Sequence, residues 1–408
     1  MLLKEIHKAG YPPCRVINLR AFLKVDLTIQ ILTFNFIYCI LHITRIAKSN
    51  MKSINRLFFF VLAVILFYQC EKDKSNPKVK IPDSNFLNAL IESGVDSDGD
   101  GTISKAEATL ITYLDVGGDS ITDMTGIEKF INLDTLLCHN NQITTLNISG
   151  NTALVHLMCH NNKLTTLDIS KNTALILLGC NENQLTSLDV SNNTDLVVLS
   201  CDNNQLTSLD VSSNPALDNL YCGNNQLTSL TVSNNTALVY LACNSNQLTS
   251  LDVSVNTELE YLSCGRNQLT ELDVSMNTKL RYLSCRENQL TVLDVNTNTL
   301  LSELTCTSNQ ISSLNFTNNP SLYSLKCEYN QLTGLDISNN TTLRYLYCCD
   351  NQLTTLDISH NTQLFYIGIG IMPSLTKVCV WETPFPPNGV MLNSTGSPNI
   401  YFTTDCSK

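Results

Sequence analysis

Six residues within a span of twelve, Asp96, Asp98, Asp100, Thr102, Ser104 and Glu107, carry the densest oxygen chemistry in the chain. Hard oxygen donors at alternate places along a loop suit Ca2+. In that reading Asp96, Asp98 and Asp100 supply side-chain oxygens and Thr102 a backbone carbonyl. Ser104 makes a direct or water-mediated contact, Glu107 supplies two oxygens, and Gly101 allows the sharp turn. The segments 85–92 and 105–111 read as helices on either side. An acidic turn without a metal is the alternative, and a structural calcium is the expectation adopted.

The remaining groups able to ligate or attack do not assemble into a catalytic set. There is no nucleophile motif, no phosphate-binding glycine loop and no zinc signature. His139, His160 and His156 lie close in the pattern described below but lack a matched acid or base, so a solvated face is expected there rather than a metal. The sequence therefore reads as non-enzymatic. Residues 1–69 hold nine Lys/Arg against two Asp/Glu, so the −11 of the whole chain leaves −18 from residue 70 onward. That balance repels phosphate backbones and argues against nucleic-acid binding.

What must position these groups is an internal repeat. Cysteines stand at 138, 159, 180, 201, 222, 243, 264, 285, 306, 327 and 348, always 21 residues apart. Around each runs a pattern such as Leu154-x-x-Leu157-x-Cys159-x-x-Asn162-x-Leu164, and the second half, Leu164-x-x-Leu167-x-Ile169-x-x-Asn172, has the same grammar. Alternation sends Leu157 and Cys159 inward and His156, Met158 and His160 outward. An asparagine follows every ladder cysteine by three residues, and a second asparagine column runs from Asn151 to Asn361. Buried amides at these places satisfy backbone groups where the chain turns.

The pattern resembles the leucine-rich-repeat consensus, with Cys in place of one Leu, over roughly residues 133–362. The segment Ile121-Thr122-Asp123-Met124-Thr125-Gly126-Ile127 resembles an internalin-type first repeat, and the acidic loop resembles an EF-hand. The resemblance implies a mainly β leucine-rich-repeat solenoid with strands on both faces and a small helical EF-hand-like cap. It also implies a role in protein or host-surface recognition.

Three surface columns follow from the repeat. Tyr240, Tyr261, Tyr282, Tyr345 and Tyr366 share one column, and Tyr221 and Tyr347 lie in its neighbour, with Arg266 and Arg286 close by. Exposed Tyr and Arg anchor interfaces, and an aromatic stripe suits sugar rings, so this face is the candidate for a protein or glycan ligand. A self-stacking tyrosine ladder is the competing reading. On the other face Asp168, Asp189, Asp210, Asp252, Asp273, Asp294, Asp336 and Asp357 share a column and need relief from solvent or from Ser and Thr hydrogen bonds. The eleven ladder thiols are expected to be buried and free, Cys349 exposed, and Cys379 and Cys406 able to bridge the C-terminal cap.

The ends complete the organisation. Residues 1–50 read as translation from too early a start codon or as a removed leader, and 51–69 as a secretory signal peptide. Cys70, directly after the apolar run 57–68, resembles the lipidated cysteine of a bacterial lipoprotein signal. Residues 70–80 form a polar tether, 81–113 the calcium cap, 114–370 the solenoid and 371–408 a C-terminal cap. The expectation is a monomeric binding or adhesion protein outside the cytoplasm, held to the envelope, outer membrane or cell surface, through a lipid anchor only. A purely structural envelope protein is the alternative.

Overall fold

The computed structural model describes residues 76–406; the segments expected to be a leader and a signal peptide, and Cys70, the expected lipidation site, lie outside them. Each repeat closes one coil and contributes one three-residue strand. Fourteen strands, from Tyr113–Asp115 to Met391–Asn393, stack in sequence order into one parallel sheet. The register repeats without slip: Leu157 lies beside Leu178, which lies beside Leu199. Leu157, Cys159, Leu164, Leu167 and Ile169 are buried, and so are their counterparts in the other coils. On the opposite face pairing is sparser. A three-stranded parallel sheet forms from Thr355–Asp357, Lys377–Cys379 and Tyr401–Thr403, with an isolated bridge between Asn315 and Asp336.

Two asparagine ladders hold the corners. In the first, Asn267 Nδ2 donates to the carbonyls of Cys264 (3.0 Å) and Gly265 (3.3 Å) in its own coil and of Cys243 (3.1 Å) in the preceding one. Its Oδ1 accepts from Leu248 N at 3.0 Å. In the second ladder, Asn256 Nδ2 donates to Val232 O (3.0 Å) and Asn235 O (2.8 Å) of the preceding coil. The Oδ1 atoms of this second ladder are buried without a hydrogen-bonding partner among the described residues. Just after each strand the chain enters the left-handed region, at Asn140, Asn161, Glu182 and onward to Ile371, with φ between 51° and 58°. Non-glycine residues carry a cost of roughly 1–2 kcal/mol there, which the ladders and the packed coils override.

The N-terminal end is closed by two short helices, α1 (Ser84–Glu92) and α2 (Lys105–Leu110), close to the expected bounds. Phe86, Leu90, Ile103 and Ala108 are buried and continue the solenoid core. Docking begins before residue 80, where the tether was expected to end. Val79 N donates to Ile103 O at 2.8 Å and Lys105 N to Pro77 O at 2.9 Å, so residues 77–79 satisfy backbone groups of the loop–helix junction. Asp83 joins cap to solenoid: Oδ1 caps α1 through Asn85 N and Phe86 N, while Oδ2 accepts from Thr122 N, Thr122 Oγ1 and Asp123 N.

The segment expected to cap the C-terminus does so by extending both sheets. Tyr366 pairs with Met391, twenty-five residues on rather than twenty-one, so the extra residues leave the coil as a loop. Val378, Leu392 and Phe402 stand at the strand centres in register with Leu356 and Ile367 of the preceding rungs, and Cys379 and Cys406 close this end in a disulfide with Cα atoms 5.6 Å apart. Among the described residues no helix is long and apolar enough to cross a membrane.

Two expectations follow. Asn267→Ala orphans Leu248 N and removes the shared donor from three carbonyls, so it should lower stability by about 3 kcal/mol in urea unfolding; a loss below about 0.5 kcal/mol would remove the ladder's claimed role. For Asp83, partial burial acts to raise the pKa, and the hydrogen bonds from Thr122, Phe86 and Asp123 outweigh it, bringing it from 3.8 to about 2. A depressed folded pKa means its stabilisation is present above about pH 4 and is lost as pH falls toward 2. Asp83→Ala should cost about 1 kcal/mol at neutral pH, the exposed side of the carboxyl being screened. It should also flatten the acid limb of a melting-temperature profile.

Candidate functional site

The acidic loop is shaped by its own hydrogen bonds. Asp96 Oδ1 accepts from Gly99 N (2.9 Å) and Asp100 N (3.2 Å), and Asp96 Oδ2 from Gly101 N (2.9 Å), drawing the loop around that carboxylate. Gly99 and Gly101 take φ of 72° and 76°, which glycine adopts without penalty. At the loop's end Ser104 and Glu107 form a capping box on α2. Glu107 is only 6% exposed. Its Oε1 accepts from Ser97 N and Oγ and its Oε2 from Ser104 N and Oγ. Burial pushes its pKa up, but the Ser104 and Ser97 hydrogen bonds prevail and hold it below the usual value. The residue is an anion at neutral pH.

Ligand atoms of Asp96, Asp98 and Glu107 lie within 4.8 Å of one another, close enough for a single cation to touch all three. Asp100 is turned differently: its Oδ1 accepts from Thr102 N and Oγ1, and its Oδ2 pairs with Lys78 Nζ at 3.1 Å. Ser104 spends its hydroxyl on Glu107. Three of the four carboxylates among the expected ligands are therefore gathered, and Asp100 and Ser104 are engaged in the loop's internal bonding. A buried anionic Glu beside two Asp side chains suits a hard cation.

On the main sheet the tyrosines stack. Tyr240 and Tyr261 lie 3.9 Å apart between ring centroids at an interplanar angle of 7°, and Tyr261 and Tyr282 lie 4.2 Å apart at 2°. Tyr221 tilts onto Tyr240 at 4.6 Å, and Tyr347 stacks on Tyr366 at 4.4 Å. Each such contact contributes about 0.5–1.5 kcal/mol beyond area burial. Burial raises the phenols, Tyr261 to about 12, with the hydrogen bond it donates to Tyr240 adding to the effect. Stacked rings cover one another's faces, so Tyr240 and Tyr261 offer a ligand their edges and hydroxyls. Tyr345 instead meets Tyr323 and Phe365 edge-on.

Charges on this sheet pair across rungs. Arg266 Nε binds both carboxylate oxygens of Glu287 (2.9 and 3.0 Å), and Arg286 Nη1 reaches Glu287 at 3.2 Å. Arg281 pairs with Glu260, and Lys279 with Glu258. Exposed pairs of this kind contribute about 0–1 kcal/mol each, and they order the side chains into a fixed polar relief. His139 and His160 stack at 4.8 Å, with both Nδ1 atoms buried and without a hydrogen-bonding partner among the described residues. Burial, then the neighbouring His139, lower the His160 pKa.

The aspartate column is relieved as its chemistry requires. Asp168, Asp189, Asp210, Asp252 and Asp273 each accept the backbone N–H of the serine two residues on, at 2.8–2.9 Å. Hydrogen bonds from those serines lower the carboxyl pKa values. All eleven ladder thiols are buried and free, and burial pushes Cys159, Cys264 and Cys306 up to about 12. They are protonated and inert at neutral pH. Cys349 is half-buried rather than exposed, because Gly370 N donates to its sulfur from the next coil.

Sequence reasoning missed the Asp83 clamp and the rung at Met391–Asn393, which makes 381–390 a loop beside the main sheet. The N-cap was signalled by Asp83 before an apolar-periodic run. The loop was signalled by the only tryptophan, Trp381, beside Pro384, Pro386 and Pro387.

No protein-family model matches the chain. It is similar to internalin J of Listeria monocytogenes, 42% identical over 71 residues that make up 17% of this chain and 8% of that protein. The solved functional domain of InlJ from Listeria monocytogenes, described as including a cysteine ladder, is 38% identical with a TM-score of 0.69, covering 75% of this chain and 71% of that one. A Leptospira interrogans leucine-rich-repeat protein is 28% identical with a TM-score of 0.56, covering 62% and 68%.

Proposed function

The chain belongs to the internalin-type leucine-rich-repeat family, and from that premise we propose that it is a non-enzymatic recognition protein working outside the cytoplasm. Its main sheet takes a protein or glycan ligand, a calcium ion braces the N-terminal cap, and a lipid on Cys70 holds the monomeric protein to the bacterial envelope. The observation that carries the reading is the rigid tyrosine ladder Tyr221–Tyr240–Tyr261–Tyr282, flanked by Arg266 and Arg286 in the middle of a long, regular sheet. Aromatic and arginine side chains already held in place lose little freedom on binding, which favours affinity. The parallel stacking also supports a second reading, in which the ladder only stabilises a structural envelope protein.

Paired Tyr261→Ser and Tyr282→Ser changes separate the two. Recognition expects saturable binding on a glycan array or a panel of host-surface proteins that the changes abolish while the folded state persists. Binding that survives them returns the ladder to a stabilising role.

For the cap, Asp96, Asp98 and Glu107 would hold the ion, its charge neutralising carboxylates gathered in one loop. With calcium at about 100 times its Kd the folded state gains about 2.7 kcal/mol. A chelator should therefore lower the melting temperature of the wild type and leave Glu107→Gln unmoved. An equal melting temperature with and without chelator in the wild type excludes a structural calcium.

A further inference from the structure

The uniform surface is interrupted where the last coil takes on extra residues. The loop 381–390 stands beside two preceding coils and borders an open cleft of about 490 Å³. One wall is Arg344, Tyr345, Gln363 and Phe365; the other is Trp381, Glu382, Asn388 and Gly389. The loop is braced from behind, with Trp381 edge-on to Phe385 at 5.1 Å and Phe385 on Phe402 at 5.0 Å. Met391 N donates to Phe365 O at 2.8 Å, tying its far end to the first wall.

Arg344 is set apart from the other arginines of the sheet. Backbone hydrogen bonds from Arg344 N to Tyr323 O and from Phe365 N to Arg344 O place Tyr323, Arg344 and Phe365 on successive rungs of one column. In the same column Arg281 finds Glu260 one rung away, whereas both rung neighbours of Arg344 are aromatic. Among the described residues Arg344 makes no ion pair. Tyr323 is 38% and Phe365 43% exposed, and Tyr345 meets both edge-on at 5.4 and 6.0 Å. An unpaired guanidinium between exposed rings calls for a carboxylate, which it can bind through two parallel hydrogen bonds. Glu382 on the facing wall disfavours a polyanion. The amides of Gln363 and Asn388 can each donate to and accept from a peptide group. A neutral saccharide would leave Arg344 without a partner.

We infer that this cleft is a second recognition site, for a protein segment that presents a single carboxylate next to apolar or aromatic residues. The carboxylate pairs with Arg344, the apolar part lies against Phe365 and Trp381, and Glu382 accepts a peptide N–H. The inference rests on the recognition reading above and names a partner chemistry at a place apart from the stacked Tyr240, Tyr261 and Tyr282.

Trp381 is the only tryptophan in the chain, so its emission reports the cleft directly. The probe is the capped tripeptide acetyl-Pro-Asp-Phe-amide, titrated into the full-length protein against its Asn counterpart and against N,N′-diacetylchitobiose. The expected result is a saturable change in Trp381 emission with the Asp peptide, weakened about tenfold or more by its Asn counterpart or by Arg344→Gln, and weakened by salt. Arg344→Gln should keep the wild-type melting temperature and bind the Asn peptide as the wild type does, which separates loss of the ion pair from misfolding of the variant. Tyr261→Ser with Tyr282→Ser should leave the titration unchanged, so failure of the sheet-face reading and failure of the cleft are told apart. Equal response to the Asp and Asn peptides, tighter binding of the disaccharide, or no saturable change in emission overturns the inference.

Discussion

A chain that turns a sharp corner twice in every twenty-one residues must bury backbone carbonyls and N–H groups with no strand partner at the corner. The asparagine amide answers that constraint, and most of the architecture follows from it. A single Nδ2 serves carbonyls of its own coil and of the coil before, as Asn267 does for Cys264 and Cys243, so each corner is bonded to its neighbour and not merely stacked on it. The same bonds are kept across the 22-residue first coil, where Asn141 Nδ2 donates to Val116 O at 2.8 Å and its Oδ1 accepts from Ile121 N at 2.9 Å. The amide thus sets the geometry of the corner, and the 21-residue spacing of the cysteine ladder repeats that geometry without slip. The second ladder spans coils in the same way through Asn256 and its counterparts, at the cost of a file of buried Oδ1 atoms.

Strict register has a chemical consequence at the surface: every side chain meets its own counterpart, one rung or about 4.8 Å away. Tyrosines exploit this by stacking, as Tyr240, Tyr261 and Tyr282 do. Opposite charges exploit it by pairing across rungs, as in Arg266 with Glu287 and Arg281 with Glu260. Aspartates cannot, and the serine two residues on supplies hydrogen bonds that keep a column of carboxylates tolerable. Inside, a small thiol fills the same place eleven times, and burial keeps it protonated. Departures from self-likeness then stand out. Arg344 between Tyr323 and Phe365, beside the loop that breaks the coil length, is the clearest of them.

The two ends solve the same problem with different means. At the N-terminus two helices cover the core, and one carboxylate, Asp83, caps α1 while binding the first coil. The neighbouring Glu107 caps α2 and gathers the acidic loop. At the C-terminus the sheets run on through residues 391–393 and 401–403, and a disulfide between Cys379 and Cys406 restrains the last coil.

The repeat, the inward Leu and Cys columns and both asparagine ladders were legible from spacing alone, because they depend on interactions between a residue and its copy at a constant offset. For the same reason the solenoid class and the columns of Tyr and Asp could be read before any coordinates. What the tertiary structure decided lies where offsets change or where non-equivalent segments meet. The clamp of Asp83 on Thr122 joins residues 39 apart with no repeat to signal it. The docking of 77–79, the withdrawal of Asp100 to Lys78 and the half-burial of Cys349 depend on the packing of neighbouring segments. The planarity of the tyrosine stack depends on rotamers, which sequence spacing does not specify. The cleft between Arg344 and Trp381 exists only because a longer coil folds its surplus against two regular ones, and that surplus is measurable only once Tyr366 is seen to pair with Met391.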